Sequence, residues 1–172
     1  MSEMTQDAVL TALHRLVGSP LRDVGRASDL AWFSFGEPRH VAGPDGSTRI
    51  VHEHALHLQC PFRLSDNTAV LMGSQDVYYP ADRPSSSDDP FDWDRQDANL
   101  LDHRIEEVRA RIERDNPVVE HAQADPFGGF RLAMSGGLNL QVLPVTSFRR
   151  EHWRYLRPYT DEEHFVVFES DY

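Results

Sequence analysis

The spacing of apolar residues along the chain predicts two helices among a series of short strands. The most regular pattern lies in residues 98–115, where apolar side chains recur every three or four positions and so share one helix face. These side chains are Leu101, Ile105, Val108 and Ile112. A second amphipathic segment, residues 5–17, begins at Thr5 as a candidate N-cap and ends before Gly18.

The remaining apolar runs are short, alternate with polar residues and are separated by turn sequences, which is typical of antiparallel strands. Two turns stand out: GPDGS at 43–47, and Gly136-Gly137 between two alternating runs. The predicted strands are 21–25, 30–35, 48–59, 62–64, 69–72, 76–79, 118–124, 130–135, 138–143, 153–157 and 164–168. We therefore predict an α+β fold: a mainly antiparallel sheet with an N-terminal helix and one longer central helix.

The length of 172 residues suits a single domain spanning 1–172, interrupted by a polar loop at 80–97 that is rich in proline, serine and aspartate. The net charge is −11, and all 17 basic residues are arginine. An excess of negative charge repels phosphate groups, so nucleic acid and anionic membranes are disfavoured as partners and a basic protein is favoured. The single cysteine and the short apolar runs lead us to expect a soluble cytoplasmic protein.

The stretch HEHALHLQC at 52–60 contains three of the nine histidines and the only cysteine. On a strand, His52, His54 and Cys60 share one face, but Cys60 lies roughly 20 Å from the histidines, too far to bind the same ion. Cys60 follows an apolar run, where a buried structural role is usual. We therefore predict no metal site, no cofactor and no catalytic residue here, although a His52/His54 site with distant ligands stays open.

The opposite face of this strand carries His57 and Gln59, and Arg63 extends the row if the strand continues past Pro61. Together with Tyr78, Tyr79 and Arg154, these residues form a hypothetical pocket for a small anionic ligand. The alternative is that the row is simply a solvated face. Arg154 belongs to the arginine-rich segment 148–159, whose charges we expect to pair with the aspartate-rich loop rather than with nucleic acid.

The aspartate-rich loop contains the second candidate surface, which consists of Asp89, Phe91, Asp92 and Trp93. Exposed aromatic side chains flanked by carboxylates suit a basic protein partner. The alternative is structural: Asp94 or Asp97 caps the following helix, and Phe91 and Trp93 anchor the loop on the core.

Five runs of the chain are distinctive: LHLQCPFRL (56–64), GSQDVYYP (73–80), FDWD (91–94), GGFRLAMSGGLNLQVLP (128–144) and EHWRYLRP (151–158). In this order they resemble a family of small uncharacterised actinobacterial proteins. The resemblance spans most of the chain and implies a shared fold, but it brings no activity and no site residues.

The leading functional hypothesis is a non-enzymatic protein-binding module in an immunity-like or adaptor role. It depends on the acidity of the chain, the aromatic loop, and a sequence without common catalytic motifs. The alternative is a binder or modifier of a small anionic ligand through the pocket of His57, Gln59 and Arg63. Unpaired strand edges also leave a homodimer open.

Overall fold

Two five-stranded antiparallel sheets form most of the structure. The computed structural model describes residues 5–82 and 90–168. Its helices are α1 (Gln6–His14) and α2 (Leu100–Asp115). Its strands are β1 (Leu21–Ala27), β2 (Leu30–Ala42), β3 (Thr48–Leu58), β4 (Phe62–Ser65), β5 (Val70–Gly73), β6 (Val119–Ala124), β7 (Phe130–Met134), β8 (Asn139–Val142), β9 (Trp153–Leu156) and β10 (Phe165–Val167). The predicted α+β class, with an N-terminal and a central helix, is confirmed.

Each sheet combines strands from two separate parts of the chain. The first sheet has the order β1-β2-β3-β9-β10, so an N-terminal meander is completed by the last two strands. The second has the order β5-β4-β8-β7-β6, which joins a short hairpin to a meander that follows α2. The pairs that join the two parts include His57 with Arg154 in the first sheet and Arg63 with Gln141 in the second.

Both predicted hairpin turns are present. The segment 43–47 connects β2 to β3, and Gly46 adopts φ 78°, a left-handed conformation that glycine tolerates at low cost. Gly136 and Gly137 connect β7 to β8 with φ values of 73° and 76°. Neither helix in the described part of the chain is long and apolar enough to cross a membrane.

Two of the strand predictions need correction. Residues 76–79 do not form a strand, because Ser74–Tyr78 is a short 3₁₀ helix in which the carboxylate of Asp76 accepts the N–H of Gly73. Strand β2 does not end at Phe35 but extends through Pro38 to Ala42. Pro38 is tolerated because the pairing with β3 shifts register between Phe35 and Pro38, where a missing N–H donor costs little.

The core lies between the inner faces of the two sheets. Phe33 on β2 packs edge-on against Phe62 on β4, with ring centroids 5.7 Å apart. Phe130 on β7 packs in the same way against Trp153 on β9, at 4.7 Å. The four apolar residues predicted to line one face of α2 are all buried in this core. Because the inner faces meet, the outer faces of the two sheets point away from each other.

The start of α2 is fixed by the side chain of its N-cap residue, which also bonds to the preceding loop. The N-cap is Asn99, whose Oδ1 accepts the N–H of Asp102 at 2.9 Å and whose Nδ2 donates to the carbonyl of Trp93 at 2.8 Å. Asp94 and Asp97, the caps considered from the sequence, do not occupy this position. Asparagine is as good an N-cap as aspartate, and here its amide also fastens the loop.

A buried ion pair connects this helix start to β1. The guanidinium of Arg26 donates to both carboxylate oxygens of Asp102, at 2.5 Å and 2.9 Å. The two side chains are only 4% and 2% exposed. The carboxylate also accepts the N–H of Asp97 at 2.8 Å, so the ionised forms of both side chains are satisfied.

Candidate functional site

The six residues of the predicted ligand pocket lie in three separate places. His57, Gln59 and Arg154 are on the outer side of the first sheet. Arg63 is on the outer face of the second sheet, and Tyr78 and Tyr79 lie at the end of the 3₁₀ helix. The structure therefore brings together three of the six residues and separates the other three from them.

Arg63 is separated from His57 because the chain changes sheets between them. Gln59 donates its backbone N–H to His152 beside the first sheet, and the carbonyl of Pro61 already accepts from Leu143 beside the second. The strand therefore does not continue past Pro61, and the predicted row of His57, Gln59 and Arg63 does not form. His57 and Arg63 instead face opposite sides of the molecule.

The cluster that remains on the first sheet is electrically balanced. Arg154 forms a forked ion pair with Glu151, which lowers the pKa of that carboxyl group. Gln59 donates to the same carboxylate at 3.1 Å. His57 is half-buried opposite Arg154, and burial, with a smaller contribution from Arg154, lowers its pKa. The arginine charge is therefore already compensated within the protein.

Among residues 5–82 and 90–168, no arginine of segment 148–159 forms the expected ion pair with the aspartate-rich loop. Arg157 pairs with Glu162 at 2.8 Å, and Arg150 reaches only the carbonyl of Gln59 at 3.4 Å. Arg154 contacts Glu151 within its own segment. Carboxylates close in sequence therefore compensate Arg154 and Arg157, whereas Arg150 contacts a backbone carbonyl.

The stretch HEHALHLQC is a strand with structural side chains on its inner face. The Nδ1 atom of His54 lies 2.8 Å from the hydroxyl of Tyr155. Cys60 is buried, and burial raises the pKa of its thiol to about 12, so the reactive thiolate is disfavoured. Within residues 5–82 and 90–168, no three His, Cys, Asp or Glu side chains are grouped as metal ligands.

Burial of histidines should make the protein less stable in mild acid. Burial lowers the pKa of four of them, His52, His54, His57 and His152. As pH falls through about 6.5, these histidines become protonated in the unfolded chain while they stay neutral in the folded chain. The unfolded state therefore binds more protons, and the free energy of unfolding falls. Each histidine can contribute at most about 1.4 kcal/mol per pH unit. Urea denaturation at several pH values between 5 and 7 measures this slope.

His152→Phe provides the specific check, because His152 is 1% exposed and packs edge-on against Phe168. This variant should show a shallower fall in stability between pH 7 and pH 5 than the unaltered protein. Replacing the exposed His103 with glutamine is the matched control and should leave the slope unchanged. A slope that His152→Phe does not alter would show that this histidine is protonated as easily in the folded state as in the unfolded one.

The predicted partner loop forms a surface together with the 3₁₀ helix. We call this the acidic aromatic surface; it consists of Tyr78, Tyr79, Asp82, Phe91, Asp92 and Trp93. The rings of Tyr78 and Trp93 pack edge-on with centroids 5.3 Å apart. Tyr78 and Tyr79, placed in the ligand pocket from the sequence, thus lie beside the partner loop. Asp89 lies outside the described residues.

Backbone hydrogen bonds hold the two halves of the acidic aromatic surface together. Tyr79 accepts the N–H of Leu100 at 2.8 Å, and Ala81 donates to the carbonyl of Ala98 at 3.0 Å. Trp93 accepts from the N-cap Asn99, so the loop is tied directly to the start of α2. The surface is therefore fixed to the core by the same residues that start the helix.

The aromatic side chains of this surface differ in their burial. Trp93 is partly buried against the core and acts as the structural anchor that the sequence suggested. Phe91, in contrast, is 42% exposed, and Tyr78 and Tyr79 are 44% and 59% exposed. Asp82 and Asp92 are exposed as well. Trp93 thus anchors the loop on the core, while Phe91, Tyr78 and Tyr79 are exposed and free to contact a partner.

In comparisons with protein-family models, curated proteins and solved structures, nothing matches the chain. The resemblance to small actinobacterial proteins, which includes FDWD and EHWRYLRP, stays a prediction. A function must therefore be inferred from the surfaces of the protein.

Proposed function

We propose that the protein is a non-enzymatic binding module whose acidic aromatic surface engages a basic protein in an immunity-like or adaptor role. The observation that carries the proposal is the exposure of Phe91, Tyr78 and Tyr79 on two segments that the contact of Tyr78 with Trp93 and backbone hydrogen bonds hold together. Large aromatic side chains contribute strongly to binding when a partner covers them, because they bury much apolar area at little entropic cost.

The carboxylates around these rings favour a basic partner. Asp82 and Asp92 are exposed and form no ion pair with an arginine or histidine among residues 5–82 and 90–168. The net charge of −11 adds a long-range attraction for positively charged proteins, which raises the rate of encounter. Arginine and lysine side chains of a partner can also stack on exposed tyrosine and phenylalanine rings.

Site-specific photocrosslinking tests the proposal. A benzoylphenylalanine at position 91 replaces one exposed aromatic ring with a reactive one and should form a defined adduct with a basic protein in lysate of the source organism. The matched control is benzoylphenylalanine at Ile50, which is 62% exposed at the far end of the β2–β3 hairpin and should give no such adduct. Equal adducts at both positions would indicate nonspecific capture and contradict the proposal.

The isolated partner then allows a quantitative test. Asp82→Asn with Asp92→Asn should weaken binding about tenfold and reduce its dependence on salt, because two unpaired charges of the surface are lost. Glu113→Gln with Asp161→Asn removes the same charge from exposed positions elsewhere and should have little effect. If both double variants weaken binding equally, net charge and not this surface determines the affinity.

A further inference from the structure

The outer face of the second sheet differs in composition from the rest of the protein. Strands β4, β5, β7 and β8 contain no aspartate or glutamate, in a chain with 28 acidic residues. One outward-facing row crosses four strands through paired positions: Arg63, Gln141, Arg131 and Gln123. The next row consists of Ser65, Asn139, Ala133 and His121. We call these two rows the arginine face.

The two arginines of this face are bound only to side-chain amides. Arg63 donates from Nε to the Oε1 atom of Gln141 at 3.0 Å. Arg131 donates from Nε and one terminal nitrogen to the Oδ1 atom of Asn139, at 2.9 Å and 2.7 Å. These bonds orient the guanidinium groups without neutralising them, and both side chains belong to exposed residues.

Most arginines in the described part of the chain have carboxylate partners. The arginines in ion pairs are Arg15, Arg22, Arg26, Arg104, Arg109, Arg111, Arg114, Arg154 and Arg157. Arg63 and Arg131 have none within residues 5–82 and 90–168, a property they share with Arg39, Arg49, Arg95, Arg149 and Arg150. Two carboxylates lie at the β6 end of the face. Glu120 is exposed at the bulge of this edge strand, and the Oδ1 atom of Asp125 accepts the N–H groups of Phe127 and Gly129 in its own turn. The face is thus a positive, acid-poor area on an acidic protein.

From this charge pattern we infer that the arginine face binds an acidic, extended segment of another protein. Strands β4 and β7 both neighbour β8, so the backbones that carry Arg63 and Arg131 are about 10 Å apart. Residues on one side of an extended chain are about 6.7 Å apart, and glutamate side chains are flexible enough to bridge the difference. Two carboxylates of such a segment can therefore each take a forked pair of hydrogen bonds from one guanidinium.

The same features disfavour the other anionic ligands. The two outward rows contain no phenylalanine, tyrosine or tryptophan ring on which successive bases could stack, and their one imidazole belongs to His121 at the β6 edge. A single small anion is disfavoured because Arg63 is held by Gln141 and Arg131 by Asn139, so the two guanidiniums are oriented by residues of different rows. The amides of Gln123 and Gln141 instead offer hydrogen bonds to the backbone of a bound segment.

A labelled ten-residue peptide of alternating glutamate and alanine is the probe. Fluorescence anisotropy at low salt should show saturable binding to the protein, and the matching glutamine-alanine peptide should not bind. Arg63→Gln with Arg131→Gln should weaken binding about tenfold or more. Arg49→Gln with Arg114→Gln makes the same change in net charge away from the face and should retain most of the affinity. Absence of peptide binding, or equal loss in both double variants, would overturn the inference.

A second variant tests whether loss of peptide binding could result from destabilisation of the protein when the arginines are removed. Gln141→Glu keeps both arginines and places a carboxylate between them. This carboxylate can pair with the guanidiniums inside the protein, so the peptide should no longer bind although no arginine has been removed. Peptide affinity that survives Gln141→Glu would contradict the inference. A ten-nucleotide single-stranded DNA and inorganic phosphate serve as competitors; displacement of the peptide by either at equal concentration would reassign the face to a general anion site.

Discussion

Replacing Asp102 with asparagine is expected to lower the free energy of unfolding by about 3–5 kcal/mol. The reason is that Arg26 would stay buried at the start of α2, with its side chain only 4% exposed, and would exchange its forked pair with Asp102 for a single 3.5 Å contact with the exposed Asp94. The N–H of Asp97 would lose its carboxylate acceptor as well. Urea denaturation at pH 7, followed by far-ultraviolet circular dichroism, measures the loss.

Two further variants separate this ion pair from general effects on the helix. Glu113→Gln removes an exposed carboxylate from the same helix and should change stability by less than about 0.5 kcal/mol. Arg26→Met combined with Asp102→Leu removes both charges and should be much more stable than Asp102→Asn alone, because no charge is left unpaired. A loss below about 1 kcal/mol in Asp102→Asn would mean that water reaches the guanidinium.

Replacing Trp153 with alanine should cost a similar amount, about 3–5 kcal/mol. The side chain of Trp153 is fully buried between the sheets, 4.7 Å from the ring of Phe130 on β7 and 5.7 Å from that of Phe165 on β10. Its Nε1 atom donates to the carbonyl of Gly128 at 2.7 Å. The residue therefore contributes both apolar contact and one of the hydrogen bonds between the two sheets.

Trp153→Phe distinguishes these two contributions. Phenylalanine keeps most of the apolar contact but leaves the carbonyl of Gly128 without its donor, for an expected loss of about 1–3 kcal/mol. Trp32→Phe is the matched control, because Trp32 lies over Gly25 on the outer face of the first sheet and should matter less. Equal losses in Trp153→Phe and Trp32→Phe would contradict the role assigned to the hydrogen bond.

The local elements were predictable because their signals are local. The face of α2 depends on side chains three and four positions apart, and the GPDGS turn fixes the β2–β3 hairpin without help from the rest of the chain. The failure at residues 76–79 has a physical cause as well. The carboxylate of Asp76 closes back on the N–H of Gly73, a side-chain bond that competes with a strand and leaves no trace in the apolar pattern.

The pairing of distant segments could not be read from the sequence. Pro61 interrupts the strand pattern, but it does not show that the chain changes sheets after Gln59, so the predicted pocket joined residues that face opposite sides. The contact of Tyr78 with Trp93 likewise depends on the bonds between residues 79–81 and 98–100. The arginine face could be detected in part from the sequence, because residues 128–144 contain no aspartate or glutamate. That this acid-poor segment forms a face with Arg63 becomes clear only from the strand pairing, which places Arg63 and Arg131 in one row.

The interleaving of the two sheets has a consequence during synthesis on the ribosome. Strands β3 and β4 emerge early, yet the strands that cover their free edges, β9 and β8, lie some eighty to one hundred positions later, as the pairs Arg63–Gln141 and His57–Arg154 show. The nascent chain must therefore carry two unpaired strand edges until β8 and β9 have left the ribosome. Such edges are open to strand exchange with neighbouring chains, so translation speed and chaperone access should influence the yield of native protein.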